Sequence, residues 1–144
     1  MLFRSHLAYL GLLSLPESLC ELTYLNELAL DHNNLTNLPL ALNKLGNLQR
    51  VDVSHNKMTV FPDNLFVLLS LRSLKVSNNQ ITDFPIARGT VSTLQNIQLD
   101  GNRIEAIPDK MFDLNAGLTM FIHDNPISET DAFVILTRKN RISY

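Results

Sequence analysis

An asparagine returns at a fixed interval of 23 residues along this chain, at Asn33, Asn56, Asn79, Asn102 and Asn125. The prolines Pro16, Pro39, Pro62, Pro85 and Pro108 keep the same interval and take five of the six in the sequence. An interval held without a slip over five units means that one supersecondary unit recurs, which restricts the chain to a stacked repeat architecture. Aligned on these columns, the units read LxxLxLxxNxLxxLPxxLxxLxx. The first full unit supplies Leu25, Leu28, Leu30, Asn33, Leu35, Leu38 and Pro39, and the second Leu48, Val51, Val53, Asn56, Met58, Phe61 and Pro62. The third supplies Leu71, Leu74, Val76, Asn79, Ile81, Phe84 and Pro85, and the fourth Leu94, Ile97, Leu99, Asn102, Ile104, Ile107 and Pro108.

Two apolar residues separated by one, such as Val51 and Val53, have the period of a short strand with both side chains on one face. One such strand cannot bury that face. Stacked units lay the strands in parallel about 4.8 Å apart and merge their inward residues into a shared core. Proline then stops the strand, having no N–H to donate and a fixed φ. The return segment follows, with Leu42, Leu45, Leu65 and Leu68 covering the other side of the core.

The template resembles the leucine-rich-repeat family, and the 23-residue length with a Leu-Pro, Phe-Pro or Ile-Pro pair is similar to its intracellular Ras-group type. The resemblance covers nearly the whole chain. It implies an α/β right-handed solenoid: a curved parallel sheet on the concave face, an irregular or short-helical convex face, and a C-terminal capping helix. A single domain over 1–144 is expected, with a degenerate N-terminal repeat at 1–24, four regular repeats at 25–116, and a degenerate last repeat and cap at 117–144. Similar repeats occur in Ras-pathway and polarity scaffolds, and in effectors that intracellular bacterial pathogens deliver into host cells.

The asparagine column reads as scaffold. Each Asn closes a strand where the chain turns inside the solenoid, and its amide carries the donors and acceptor that the turning backbone needs. Asn33, Asn56, Asn79, Asn102 and Asn125 are therefore expected to form a structural ladder.

Both ends depart from the template. At the start, Leu12, Leu15, Pro16, Leu19 and Leu22 hold register, but Leu10 takes the Asn slot and Ser5 an inward one. At the finish, Gly117 takes the first Leu slot while Met120, Ile122 and Ile127 stay in place. Ser128 with Asp131 reads as the start of a helix, with Phe133, Ile135 and Leu136 as its lid on the last strand. Arg88 stands where the third return segment expects Leu.

With 144 residues, 45% of them hydrophobic and 18% charged, the chain can bury a core. A formal net charge of -2 gives no long-range pull on phosphate, which argues against nucleic acid. Arg138, Lys139 and Arg141 complement a helix C-terminus. The single cysteine, Cys20, makes no internal disulfide and suits a reducing compartment. No small-residue cleavage site follows the apolar run from Leu7 to Leu15, which is too short to span a bilayer. A cytoplasmic chain is expected, or one delivered into a host cytoplasm if it is an effector.

The residues between the inward ones should point to the concave face. Their mixed charge and small apolar content suit a polar protein-binding surface, with Arg50, Asp52, His55 and Lys75 as central contacts and Asp31, His32, Gln98 and Phe121 around them. The resemblance makes a small GTPase, kinase or phosphatase the partner class by analogy. His32 and His55 should lie side by side near Asp31 and Asp52, but splayed side chains and too few converging ligands weigh against a metal site. Asp52, Ser54 and His55 offer hydrolase residue types on an open face without an oxyanion hole. No enzyme activity, cofactor or metal is expected.

Overall fold

The structure, a computed structural model, describes residues 3–84, 93–108, 117–128 and 142–143. Seven strands form one sheet: β1 (Phe3–His6), β2 (Leu25–Ala29), β3 (Arg50–Asp52), β4 (Ser73–Lys75), β5 (Asn96–Gln98), β6 (Thr119–Phe121) and β7 (Ile142–Ser143). They pair in sequence order, β1 to β7, and every pair is parallel. Leu28 pairs with Val51, Val51 with Leu74, Leu74 with Ile97 and Ile97 with Met120, so the register follows the 23-residue period. A slip of one residue would turn each of these side chains to water, which is why the buried face pins the register.

The central inward residues Leu28, Val51, Leu74 and Ile97 are at most 1% exposed, and Leu30, Val53, Val76 and Leu99 just beyond the strands are fully buried. Each such side chain contributes about 1.5–3 kcal/mol by leaving water. On the opposite side, three short 3-10 helices (Glu17–Glu21, Leu40–Lys44 and Asp63–Val67) begin directly after Pro16, Pro39 and Pro62. They seat Leu19, Leu42 and Leu65 on the core. Phe61 and Phe84 fill the slot before the proline in adjacent units, with ring centroids 5.1 Å apart, and Phe66 packs on Phe61 at the same distance.

The degenerate first unit keeps register: Ser5 pairs with Leu28 and His6 with Ala29. Leu22 was expected inward with Leu45 and Leu68, yet it is 49% exposed while they are buried. The difference is positional, because Leu45 and Leu68 are each covered by the preceding unit and β1 is the outermost strand. Phe3, Tyr9, Leu10, Leu13 and Tyr24 are exposed at the same end. In the last unit the inward role passes from exposed Gly117 to Leu118, one residue later. The sheet also continues past β6, since Ile142 pairs with Met120 and Ser143 with Phe121. A lid over a terminal β6 is therefore not the whole of the C-terminal arrangement. The expected capping helix with Asp131, Phe133, Ile135 and Leu136, the cations Arg138, Lys139 and Arg141, and the positions Pro85 and Arg88 lie outside the described residues.

Candidate functional site

The fixed register sorts the outward side chains into rows that cross the sheet. One row runs Arg4, Glu27, Arg50, Ser73, Asn96 and Thr119, and the next His6, Ala29, Asp52, Lys75, Gln98 and Phe121. Asp52, Lys75, Gln98 and Phe121 thus stand side by side on four consecutive strands, half-buried, with Arg50 in the row beside them. Asp31 lies beyond the end of β2, and His32 follows it.

Charges in these rows are paired within the chain. One Glu27 oxygen, Oε2, takes Arg4 Nε at 3.0 Å and Arg50 Nη2 at 3.1 Å. Lys75 Nζ is 3.5 Å from Asp52 Oδ2, and the other Asp52 oxygen accepts from the Ser54 backbone N–H at 3.0 Å. Pairs as exposed as these stabilise by about 0–1 kcal/mol. Their larger effect is to fix where the charges stand. Two shallow depressions lie among them, one of about 110 Å³ around Ala29 and Val51 and one of about 350 Å³ around Ser54, Ser77 and Asp100. Ser54, expected on the open face, and Ser77 one strand on are 7% and 8% exposed.

Beneath the rows runs the asparagine ladder. Asn79 Nδ2 donates to Val76 O and to Val53 O of the preceding unit, both at 3.0 Å, and Asn79 Oδ1 accepts from Met58 N–H at 3.0 Å. Asn33, Asn56, Asn102 and Asn125 repeat this set one unit at a time. Interior carbonyls take two amides each: Val53 O accepts from both Asn56 and Asn79, and Val76 O from both Asn79 and Asn102. Asn33 also ties down the unit that lacks its own amide, accepting from Leu10 N–H at 3.1 Å. Four of the five are buried at 6–7% exposure, and Asn125 is half-buried.

The residue before each of the five ladder asparagines is left-handed, His32 (φ 55°), His55 (54°), Asn78 (54°), Gly101 (64°) and Asp124 (54°), and so is Tyr9 (59°) before Leu10 in the same slot. From His32 onward the sequence signal was present, since His, Asn, Gly and Asp are the types that enter this region most readily. It accounts for the histidines by backbone need. Repetition of that conformation keeps the rings parallel instead of splaying them: Tyr9 stacks on His32 at 4.2 Å and His32 on His55 at 4.1 Å, with interplanar angles of 12° and 16°. His32 Nδ1 is 3.0 Å from Asp31 Oδ2, and His55 Nε2 is 3.3 Å from Asn78 Nδ2.

Stacked rings aim their nitrogens in parallel, whereas a metal needs donors that converge. Among the described residues no group of three or more His, Cys, Asp or Glu is placed to hold one. Nor does a hydrogen bond join the Ser54 hydroxyl to His55 among the described residues; the imidazole is turned to Asn78 and Ser54 is buried. Cys20 is 3% exposed, and burial first, then the nearby Glu17 carboxylate, pushes its thiol up from the usual value, as for a thiol packed in the core. Among the described residues no helix is long and apolar enough to cross a membrane.

Sequence reasoning passed over one column altogether: Gln49, Arg72 and Gln95, which precede β3, β4 and β5 and line a groove of about 610 Å³ where the strands begin. Its signal was a polar position recurring at the repeat interval.

Residues 23–81 match the family described as leucine rich repeat. No curated protein matches the chain. Among solved structures, a leucine-rich-repeat protein of Leptospira interrogans is 30% identical with a TM-score of 0.90, over 99% of this chain and 37% of that one. The functional domain of InlJ from Listeria monocytogenes, which includes a cysteine ladder, is 23% identical with a TM-score of 0.74, over 96% of this chain and 28% of its own. The internalin InlF of Listeria monocytogenes is 22% identical with a TM-score of 0.69, over 91% and 38% respectively. The chain thus spans well under half the length of each structure it matches, and the two Listeria likenesses speak for the fold alone. The fold is generally a non-catalytic interaction fold and fits a protein–protein interaction module. With the 23-residue template, the sequential parallel sheet, the amide ladder and the family match in agreement, this chain is a leucine-rich-repeat protein.

Proposed function

We propose that the chain is a non-catalytic recognition module that binds a protein partner through its concave face and the adjoining loops. The observation that carries this reading is the ordered set of polar rows, in which Arg50, Asp52, Lys75, Gln98 and Phe121 are held in register by the strands beneath them. Asp31, His32 and His55 border these rows at the left-handed turns.

Size sets a condition on the partner. Seven strands at about 4.8 Å, each about 10 Å long, give a patch on the order of 300 Å². A standard interface removes about 800 Å² from each side, so a partner must also engage the rim. The resemblance to Ras-group repeats favours a small GTPase, kinase or phosphatase, and a reducing compartment suits the buried free thiol of Cys20. The bacterial origin of the matched structures favours a second reading, the recognition segment of a bacterial effector that meets a host protein.

The test exchanges the central charges, Asp52→Lys with Lys75→Asp, which keeps an ion pair but inverts the pattern. The exchanged protein should lose the partners that the native chain captures from lysate, with stability lowered mainly by loss of the Asp52–Ser54 N–H bond, about 0.5–1.5 kcal/mol. Equal capture by both proteins would move the site off this face. Comparing host and bacterial lysates separates the two readings.

A further inference from the structure

We propose that the groove at the strand entrances is a second binding site, meeting the concave rows only at Asn96 and Thr119, that takes a carboxylate carried on an extended protein segment, with Arg72 as its anchor. The groove holds about 610 Å³ and is lined by Gln49, Ser70, Arg72, Gln95, Asn96 and Thr119 among others. Its floor is fixed: Arg72 N–H donates to Gln49 O at 2.9 Å and Gln95 N–H to Arg72 O at 2.8 Å, so these three residues stand on successive rungs of one backbone ladder.

Their side chains, in contrast, are uncommitted. Among the described residues, Gln49, Arg72, Gln95 and Asn96 form no side-chain hydrogen bond, and Arg72 has no ion pair, although Arg4 and Arg50 share Glu27 and Lys75 faces Asp52. An anion approaching the concave rows has to displace an internal carboxylate. In the groove it meets an exposed guanidinium with all five donors available and no acidic residue among the described lining. Among the described residues Lys44, Lys57 and Arg103 have no ion pair either, but none of them lines this groove.

The chemistry narrows the ligand. A planar guanidinium matches a carboxylate through two parallel N–H···O bonds. The remaining described lining is neutral, so one positive charge suits a monoanion better than a phosphate dianion, which calls for a cluster of cations. The carboxamides of Gln49 and Gln95 flank Arg72, one strand away on either side. Each offers donors and an acceptor that match the N–H and C=O of a peptide. From Gln49 to Thr119 the groove crosses three strand intervals, about 14 Å, which an extended chain rising about 3.3 Å per residue spans with about four residues.

The experiment titrates the isotope-labelled 144-residue chain with capped Ala-Glu-Ala-Ala, capped Ala-Gln-Ala-Ala, a capped peptide with phosphoserine in place of Glu, acetylated tetra-alanine with a free carboxylate, and sodium acetate. Ionic strength is held constant, and the side-chain amides of Gln49, Gln95 and Asn96 and the Nε–H of Arg72 are read by NMR. At least one carboxylate peptide should shift these signals saturably and bind about tenfold or more tighter than the Gln peptide, the phosphopeptide and acetate. Whichever of the two is tighter distinguishes a side-chain source from a chain terminus. Arg72→Gln should weaken that peptide by about tenfold, whereas Lys75→Gln should leave it unchanged. Equal binding of the Gln peptide, of acetate or of the Arg72→Gln protein, or preference for the phosphopeptide, would overturn the proposal. Because the Lys75 variant alters the concave rows and not the groove, a failure here is distinct from a failure of the concave-face reading.

Discussion

Removing one ladder amide, Asn79→Ala, tests whether the units are held together by these buried side chains or only by the apolar core. The native side chain donates to Val53 O and Val76 O and accepts from Met58 N–H, at 7% exposure. Both carbonyls keep a second amide, from Asn56 and Asn102. The Met58 N–H alone is left buried without its partner. An orphaned buried donor costs about 1–3 kcal/mol, and two further lost bonds about 0.5–1.5 kcal/mol each, so the substitution should destabilise by about 2–6 kcal/mol. Urea unfolding followed by circular dichroism measures this, provided the slope with denaturant stays constant. Asn125→Ala should cost less, because that position is half-buried and can recruit water. A loss below about 1 kcal/mol for Asn79→Ala, or equal losses at both positions, would refute the assignment of structural weight to the ladder.

Two further outcomes follow from the packing and the backbone. Leu45→Ala should destabilise by about 2–5 kcal/mol and Leu22→Ala, at the equivalent slot of the exposed first unit, by under about 1 kcal/mol; similar losses in thermal melts would contradict the difference in burial. Gly101→Ala places a side chain at φ +64° with its Cβ 2.5 Å from Asn78 Oδ1. The Asn78 side chain can swing aside, which leaves a conformational cost of about 1–2 kcal/mol to be read as a lower melting temperature.

How much of this was legible in the sequence depends on whether a position repeats. Leu28, Val51, Leu74 and Ile97 recur at one interval, and the register they fix is the one observed. Ile142 and Ser143 carry no template signal, so β7 could not be read; it exists because β6 offers an edge to pair with. The concave residues were placed in their rows, but their pairing was not, since Glu27 holds both Arg4 and Arg50 by side-chain reach, which a repeat period does not encode. The stacking of Tyr9, His32 and His55 was missed for a different reason. Ring orientation follows from a left-handed backbone that the dipeptide His-Asn hints at but a hydrophobic period ignores. Arg72 escaped notice because its column changes residue type from unit to unit.

Among the described residues every rung of this sheet joins residues about one repeat apart and stays within the neighbouring unit. Under a pulling force applied to its ends, such a molecule has no central clamp to break. It should pay out in steps of 23 residues, each releasing roughly 80 Å of chain at about 3.5 Å per residue. The outermost coil carries the least cover and would be the first to let go, so the protein would resist tension as a series of small catches instead of a single latch.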